Sequence, residues 1–477
     1  MFNLTQGYIN GEWRDSFSGD TFEVRNPFND ELIETIADCG IEDAELAIDE
    51  ASKAFKVWRK TTPKVRSGYL RKIGDLLLEH KDALAALMTK EQGKPLQEAA
   101  GEVAFSAGFF HFFSEECKRP DGEMIPAAAA GKQFMTLREP LGVAAMVLPW
   151  NFPIGMPARK VAAALAAGCT CVVKPAEDTP LISLAFAKII EMAEVPSGVV
   201  NILPCSRNKV QQVGTLFCES PKVAVVSFTG STEVGKHLYS LCGKTVKRVA
   251  LELGGNAPFI VFKSADVDLA VQGLMAAKYR NSGQTCVTAN RIMVHKDIYE
   301  EFLEKFKAST STLKIGNGAE SGTTQGPIIN EKQLNRVVRI VAESLEQGAV
   351  LEMGGKTEGC CYLPTILTKV TPDMACWKEE IFGPVAAIGS FDSEEEAVEE
   401  ANNSDRGLAG YFFSRDYSQI WRVAKALEMG MVGVNDTGIS NPDTPFGGYK
   451  TSGIGKEGSK LGLDEYSNVK LIDMGGL

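Results

Sequence analysis

An apolar, β-branched run passes directly into a small-residue turn in the stretch Val223-Ala-Val-Val-Ser-Phe-Thr-Gly-Ser-Thr-Glu-Val-Gly235. The run predicts a buried strand, and the residues after the turn predict a helix. Small side chains let the backbone approach a pyrophosphate, and a helix N-terminus favours its negative charge. Because such turns are common, this motif alone is weak evidence for a dinucleotide site. Its candidate cofactor-binding residues are Gly230, Ser231, Thr232 and Gly235.

Strand-like and helix-like segments alternate on both sides of this turn. Apolar runs at residues 143–148, 171–174, 199–203 and 246–251 are separated by helical patterns such as 180–193. This alternation predicts an α/β fold with a parallel sheet between helices, the Rossmann-type architecture of dinucleotide-binding domains. A second set of strands and helices is predicted from 258 to about 434. Residues 41–117 are mostly helical by pattern, and 122–139 predict a projecting hairpin.

The bulk composition excludes several classes of protein. The 477 residues, 44% hydrophobic and 23% charged, are typical of a globular protein with two or more domains. The net charge of −11 disfavours nucleic acids and anionic membranes as partners. Eleven scattered cysteines and four distant histidines predict reduced thiols in an intracellular compartment and no metal site. The N-terminus resembles no signal peptide, so we expect a cytoplasmic protein; a processed organelle form stays open.

Three polar side chains stand at predicted loop positions. Cys286 follows Gly283, where a helical segment is predicted to end, and we expect nearby dipoles to lower the pKa of its thiol. Glu252 ends a strand-like run before two glycines, and Asn151 follows another run between two prolines. Taken singly, they are more simply a buried thiol, a solvated glutamate and a turn asparagine. Together they provide a nucleophile, a general base and an amide for an oxyanion.

The tetrapeptide Lys174-Pro175-Ala176-Glu177 ends another predicted strand. A lysine at this place can donate hydrogen bonds to ribose hydroxyls. A carboxylate can accept from these hydroxyls and repels a 2′-phosphate. The alternative for Glu177 is an ordinary residue at a helix N-terminus. We therefore predict NAD as the cofactor, with NADP possible but less favoured.

Taken together and in order, these segments resemble the aldehyde dehydrogenase superfamily. The matching pieces are Pro149-Trp-Asn-Phe-Pro153, Lys174-Pro-Ala-Glu177, Phe228-Thr-Gly-Ser-Thr-Glu-Val-Gly235, Glu252-Leu-Gly-Gly255, Gly283-Gln-Thr-Cys286, Glu379-Glu-Ile-Phe-Gly-Pro384 and Pro445-Phe-Gly-Gly448. The resemblance implies a dinucleotide-binding domain at 1–122 and 142–253 and an α/β catalytic domain at 254–446. It also implies a small β element at 123–141 and 464–477, which would assemble a homodimer or homotetramer.

The resemblance implies a role for each candidate residue. The Cys286 thiolate would add to the aldehyde carbonyl and form a thiohemiacetal, with its oxyanion on the Asn151 amide and the Cys286 backbone N–H. Hydride loss to the nicotinamide would leave a thioester. Glu252 would activate the water that hydrolyses it, and could also help deprotonate the thiol. Three further cofactor contacts are implied, at the nicotinamide ribose, the nicotinamide ring and the adenosine side respectively: Glu380, Phe382 and Trp150.

Stretches without catalytic duty are most similar to the succinate-semialdehyde dehydrogenases. Examples are Asn201-Ile-Leu-Pro-Cys-Ser206, Gly322-Thr-Thr-Gln-Gly-Pro327 and Gly430-Met-Val-Gly-Val-Asn435. The expected reaction is therefore NAD(P)-dependent oxidation of succinate semialdehyde to succinate.

A physical argument also favours an aldehyde that carries a carboxylate. Arg159 lies eight positions after Asn151, and Arg280 lies six before Cys286. Two guanidinium groups beside catalytic loops can bind one carboxylate by forked hydrogen bonds. The resemblance implies that Ser440 binds the same carboxylate. Ser440 lies in a loop at 435–444 that differs from the commonest family loop.

Other functions remain open at this stage. One alternative is a dehydrogenase for another ω-carboxylated aldehyde such as glutarate semialdehyde, or one of broad specificity. A second is a descendant without activity that only binds nucleotide, against which the intact Cys286, Glu252 and Asn151 argue. A third is a thiol hydrolase, which would not need NAD.

Overall fold

The structure, a computed structural model, describes residues 4–119 and 122–476. Residues 1–3, 120–121 and 477, which the predicted domain ranges include, lie outside the described part. The described helices are α1 Ile41–Trp58, α2 Pro63–Glu79, α3 Lys81–Gln92, α4 Leu96–Glu116, α5 Gly155–Ala167, α6 Pro180–Met192, α7 Val210–Glu219, α8 Thr232–Gly243, α9 Val267–Tyr279, α10 Tyr299–Thr310, α11 Glu331–Glu346, α12 Ala375–Lys378, α13 Glu394–Asn402, α14 Tyr417–Ala426 and α15 Leu461–Asp464.

The described strands are β1 Gly7–Ile9, β2 Glu12–Arg14, β3 Thr21–Arg25, β4 Leu32–Ala37, β5 Met124–Ile125, β6 Lys132–Pro140, β7 Val143–Val147, β8 Thr170–Lys174, β9 Val200–Ile202, β10 Val223–Thr229, β11 Arg248–Glu252, β12 Ala257–Val261, β13 Ala289–His295, β14 Val350–Met353, β15 Thr357–Glu358, β16 Cys361–Tyr362, β17 Thr365–Thr368, β18 Val385–Phe391, β19 Arg406–Gly407, β20 Ala409–Phe413, β21 Met431–Val434, β22 Tyr449–Lys450, β23 Gly453–Ile454 and β24 Ser467–Gly475. Their alternation with the helices confirms the α/β fold, including the helical region predicted at 41–117.

The first large sheet has eight strands in the order β2-β1-β9-β8-β7-β10-β11-β23. The strands from β9 to β11 are parallel. After β7 the chain adds β8 and β9 on one side and then β10 and β11 on the other, so the strand order reverses between β7 and β10. In open α/β sheets, ligands bind at the carboxyl ends of the strands at such a reversal.

Strand β10 and helix α8 form the predicted strand-turn-helix unit. The β-branched side chains of β10 are buried because the strand lies between β7 and β11 in the interior of the sheet. Ser231 caps α8, and its Oγ accepts a hydrogen bond from the Val234 N–H at 3.4 Å. A Cβ at Gly235 would lie 2.3 Å from the Leu253 side chain, so this close approach of helix and sheet needs glycine.

The second large sheet has the order β14-β17-β18-β13-β12-β20-β21 and is parallel apart from β14. The loops that lead into β13 and β18 carry Cys286 and Glu380. The Glu380 carboxylate accepts a hydrogen bond from the Gly255 N–H, three residues after β11 ends. The amino edge of the second sheet therefore meets the carboxyl edge of the first sheet, and the candidate residues lie in this contact.

A third sheet has three strands in the order β24-β6-β5. Strand β24 pairs with β6 along its whole length, from Ser467 opposite Pro140 to Gly475 opposite Lys132. The hairpin predicted at 122–139 is formed by β5 and β6.

In the part of the chain that the structure describes, no helix has the length and apolar character needed to cross a membrane.

Candidate active site

The nucleophile loop begins with a strained turn. Helix α9 ends at Tyr279, before the predicted break at Gly283, and Asn281 and Ser282 adopt left-handed conformations with φ of 52° and 56°. Such conformations are costly for residues other than glycine, so the surroundings must hold them. The Asn281 N–H donates to Glu98 Oε2 at 2.8 Å, and Ser282 Oγ donates to the Gly326 carbonyl at 2.9 Å. The helical pattern leading to the nucleophile loop also predicts Arg280 on the helix, but it stands just beyond the end of α9.

The loop after β7 is tied to this turn through Asn151. The buried Asn151 side chain donates a hydrogen bond to the Gln284 carbonyl at 3.0 Å. The Asn151 carbonyl accepts from Asn281 Nδ2 at 3.0 Å. An amide has two N–H donors, so one donor of Asn151 remains for an oxyanion beside Cys286.

A buried ion pair supports the Asn151 loop, and the sequence analysis missed it. Lys94 Nζ contacts Glu102 Oε2 at 2.5 Å and donates to the Asn151 carbonyl at 2.8 Å. Glu102 Oε1 accepts from the Ile154 and Gly155 N–H groups at the start of α5. The available signal was a glutamate in a helical region rich in phenylalanine and alanine, since buried charges in proteins are paired.

The half-buried Cys286 thiol does not have the lowered pKa that we expected. Burial raises its pKa to about 12, and the charges of Glu380 and Glu252 act in the same direction. The positive charges of Arg159 and Arg280 oppose this rise. The expectation of a lowered pKa was wrong because burial and two carboxylates outweigh the cations. The same observation shows that the structure gathers these four predicted residues around the thiol.

Glu252 ends β11 and is buried. Its Oε2 has no hydrogen-bond partner among the described residues. Burial, followed by the charge of Glu457, raises the pKa of Glu252 well above its ordinary value, and Lys160, Arg159 and Lys456 oppose this. A carboxylate with a raised pKa and an unoccupied oxygen is suited to act as a general base.

Behind Glu252 lies a second buried charge cluster that the sequence analysis did not find. Lys160 Nζ contacts Glu457 Oε1 at 2.5 Å and donates to Ser227 Oγ at 2.8 Å. Arg159 Nε lies 3.1 Å from Glu457 Oε2. Lys160 and Glu457 are 297 positions apart, so only the charged residue within the alanine-rich run of α5 was available as a signal.

The two arginines predicted to bind a carboxylate lie in different surroundings. Arg159 is buried, donates to Ser440 Oγ at 3.4 Å and stacks on the Phe446 ring at 4.2 Å. Arg280 is exposed and lies 5.4 Å from the centre of the Phe152 ring. The structure therefore brings Arg159 and Ser440 into contact and leaves the Arg280 guanidinium at the solvent side.

The residues predicted to bind the adenosine end lie together at the carboxyl end of β8. Lys174 Nζ contacts Glu177 Oε2 at 3.2 Å, and the buried Pro175 and Ala176 connect the two. Burial raises the pKa of Glu177, but the Lys174 ammonium and hydrogen bonds outweigh it and hold the pKa below its usual range. Glu177 therefore presents a negative charge.

Trp150, implied at the adenosine side, and Phe382, implied at the nicotinamide ring, lie close to each other. Trp150 and Phe382 make an edge-to-face contact with ring centres 5.6 Å apart.

Thr232 Oγ1, at the start of α8, is buried without a hydrogen-bond partner in the described part of the chain. A glycine-flanked helix N-terminus with a free buried hydroxyl fits the pyrophosphate of a dinucleotide. Among the described residues, no cluster of three or more His, Cys, Asp or Glu side chains could hold a metal ion.

The comparison with protein families decides the family. The model of the aldehyde dehydrogenase family matches residues 13–472. The chain belongs to this family. Its members use NAD or NADP to oxidise aldehydes.

Three similar proteins illustrate the range within the family. The mitochondrial succinate-semialdehyde dehydrogenase of Rattus norvegicus is 51% identical over 98% of this chain and 90% of its own. The 3-sulfolactaldehyde dehydrogenase of Pseudomonas putida is 47% identical over 99% of this chain and 97% of its own. The solved structure of an NADP-dependent enzyme of E. coli is 45% identical, covers 99% of this chain and 98% of its own, and has a TM-score of 0.98.

Proposed function

We propose that this aldehyde dehydrogenase oxidises succinate semialdehyde to succinate with NAD. The observation that carries the substrate assignment is the pair of arginines beside Cys286, with Arg159 in contact with Ser440 and Arg280 at the solvent side. Guanidinium groups bind carboxylates through charge-assisted hydrogen bonds. The name of the rat relative, which shares half of the sequence, supports the same substrate.

The raised pKa of Cys286 determines how the reaction starts. The thiol is neutral at rest, so it must lose its proton as its sulfur attacks the aldehyde carbon. Glu252 is the nearby base that can take this proton and can later activate the water that hydrolyses the thioester. The free donor of Asn151 and the Cys286 backbone N–H stabilise the oxyanion of the thiohemiacetal.

The cofactor residues divide into two groups. Lys174 and Glu177 hold the adenosine ribose, while the turn from Gly230 to Gly235 faces the pyrophosphate. Glu380 and Phe382 orient the nicotinamide half, and Trp150 lines the adenosine-side path. When bound, the nicotinamide accepts the hydride that leaves the substrate carbon.

The cofactor choice is tested by measuring kcat/KM for NAD and for NADP over the same series of substrate concentrations. The negative charge of Glu177 repels a 2′-phosphate, so we expect kcat/KM to be higher for NAD, and Glu177→Ser to narrow the difference. The exposed Glu358→Ser variant serves as the control. A wild-type preference for NADP, the cofactor named for the E. coli neighbour, would contradict the assignment.

A second candidate substrate is 3-sulfolactaldehyde, because the Pseudomonas putida relative is 47% identical to this chain. A sulfonate would meet the same arginines as a carboxylate. We test the substrate class by measuring kcat/KM for succinate semialdehyde, glutarate semialdehyde, 3-sulfolactaldehyde and butanal. The proposal expects the highest value for succinate semialdehyde, and a higher value for the sulfonate would favour the second candidate.

For assembly, we propose that the three-stranded sheet joins subunits into a homodimer or homotetramer. Val469 and Leu471 of β24 are 64% and 61% exposed, and Leu137 of β6 is 42% exposed. Apolar side chains exposed along paired strands are typical of surfaces that bury on association. Sedimentation equilibrium tests this: wild type should be a homodimer or homotetramer and Leu471→Glu should dissociate, and a wild-type monomer would contradict it.

We also propose the domain ranges predicted above, with 1–122 and 142–253 for the dinucleotide, 254–446 for catalysis, and 123–141 and 464–477 as the assembly element.

A further inference from the structure

The Glu380 carboxylate has an arginine partner that the sequence analysis did not find. Arg406, on the short strand β19, donates from Nη1 to Glu380 Oε2 at 2.9 Å and to the Gly255 carbonyl at 3.1 Å. The Gly255 N–H donates to Glu380 Oε1 at 3.1 Å. Both oxygens of Glu380 are therefore held, one by Arg406 and the other by the backbone.

The backbone at Gly254 packs closely against this pair. A Cβ at Gly254 would lie 2.5 Å from Glu380 Oε2, 3.1 Å from Arg406 Nη1 and 3.3 Å from Thr232 Oγ1. The ion pair thus lies directly against the backbone that follows Glu252 and next to the first residue of α8. The side chains of Arg406 and Glu380 are only 25% and 14% exposed, so solvent screens their attraction weakly.

The backbone that carries Arg406 is also fixed. The Gly407 N–H donates to Ser452 Oγ at 3.0 Å, and Ser452 Oγ donates to the Gly254 carbonyl at 2.8 Å. Strand β19 pairs with β22, with Arg406 opposite Lys450. Arg406 is therefore a preorganised donor, and its position is set by the same segment that supports the strand end of Glu252.

We propose that Arg406 is a positioning residue that aims Glu380 at the ribose of the nicotinamide half of the cofactor. This rests on the proposed function, since it takes Glu380 as the ribose-binding group. Each carboxylate oxygen has a second lone pair, so Glu380 can accept from ribose hydroxyls while it keeps its bonds to Arg406 and Gly255.

The charges around Glu380 explain why this partner matters. Burial raises the pKa of Glu380, and the charge of Arg406, the Gly255 hydrogen bond and the charge of Arg336 oppose that rise. Arg336 donates to the Glu380 backbone carbonyl at 2.7 Å, so Arg406 is the arginine that touches the carboxylate. Without Arg406, Glu380 would take up a proton at higher pH and lose one of its acceptor positions.

The test compares three nucleotides that share the adenosine end. NADH carries the nicotinamide and its ribose, ADP-ribose keeps only that ribose, and ADP has neither. We expect Arg406→Gln to weaken the binding of NADH and ADP-ribose about tenfold, the loss of one charge-assisted hydrogen bond, as measured by calorimetry. ADP should bind as it does to wild type, which also shows that the variant is folded.

Two further variants sharpen the result. Arg406→Lys should recover part of the affinity because it keeps the charge. Arg406→Gln combined with Glu380→Gln should bind NADH no more weakly than Glu380→Gln alone, because Arg406 acts through Glu380. As the pH is lowered, the NADH affinity of Arg406→Gln should fall at a higher pH than that of wild type, because Glu380 has lost the cation that opposes its protonation.

The outcomes separate the possible explanations. A parallel loss of ADP affinity in Arg406→Gln would show that Arg406 only stabilises the fold, and unchanged NADH affinity would show that it does not position Glu380. Either result overturns the inference. A wild-type protein that binds ADP but not NADH would instead contradict the proposed function itself.

Discussion

Arg159 and Arg280 were predicted to bind the same carboxylate, yet the structure gives them opposite surroundings. Arg159 is buried, ion-paired with Glu457 and stacked on Phe446. Arg280 is exposed and contacts the Phe152 ring. The inner arginine therefore has two proposed duties, toward the substrate and toward the charge cluster behind Glu252, whereas the exposed outer arginine is proposed to serve the substrate.

Because of this difference, mutation of the two arginines should have different consequences, although both were predicted to bind the same carboxylate. Removing a buried charge leaves its partner unpaired, which costs more than the bond to the substrate. Removing an exposed charge affects only the ligand that it binds. The inner side should therefore control chemistry for every aldehyde, and the outer side should control selectivity for charged aldehydes.

The largest effect is expected on the inner side, at Glu252. Glu252→Gln should lower kcat by about 10²–10⁴-fold on succinate semialdehyde and butanal alike, since a general base contributes that much. Rapid-mixing measurements of NADH should show the first-turnover burst slowed as well, because the neutral Cys286 thiol also needs a base. The exposed Glu300→Gln variant is the control. A burst of wild-type rate followed by slow turnover would restrict Glu252 to the hydrolysis step.

The next effect concerns Arg159. Arg159→Gln removes one of the two cationic partners of Glu457, with Lys160 remaining, and should lower the free energy of unfolding by less than the about 3–5 kcal/mol that leaving a buried charge unpaired costs. It should also reduce kcat/KM for both succinate semialdehyde and butanal. Thermal unfolding and steady-state kinetics check the two parts. Wild-type activity on butanal would show that the inner arginine serves the substrate alone.

A smaller and selective effect is expected for Arg280. Arg280→Ala should reduce kcat/KM for succinate semialdehyde by about 1.5–3 kcal/mol, the contribution of a hydrogen bond to a charged group. Its activity on butanal and its unfolding temperature should match wild type, because its side chain is exposed. The exposed Arg422→Ala variant is the matched control. Equal losses on both aldehydes would make Arg280 a structural residue.

The last effect expected is a change in the slope of the pH profile. The pKa values of Cys286, about 12, and of Glu252 are both raised, so both groups ionise as pH increases. Measured between pH 6 and pH 9, kcat/KM for butanal should therefore rise with pH by at most about tenfold per unit, because Glu252 must be ionised to take the thiol proton. In Glu252→Gln, the slope of log kcat/KM against pH should be lower by up to one, because one ionising group is lost. A profile that is flat across this range would contradict the raised values.

The sequence located the elements well where a local pattern determines them. The run at 143–148 became β7, Val143–Val147, and the turn after β10 lies where the small residues predicted it. The features that escaped depend on distant contacts. Lys94 reaches the Asn151 loop, Glu457 reaches Lys160, and the pKa of Cys286 depends on burial and on the charges of Glu380 and Glu252. Pattern and spacing cannot show which charges meet in space.

The central claim is that a carboxylate distant from the aldehyde group is recognised between Arg159 and Arg280. Its most direct test is one reaction mixture that contains succinate semialdehyde and butanal at equal concentration, with NAD in excess and both acids quantified. The ratio of succinate to butyrate at low conversion equals the ratio of the two kcat/KM values. Two charge-assisted hydrogen bonds predict an excess of succinate of about a hundredfold or more. Equal amounts of the two acids would contradict the claim.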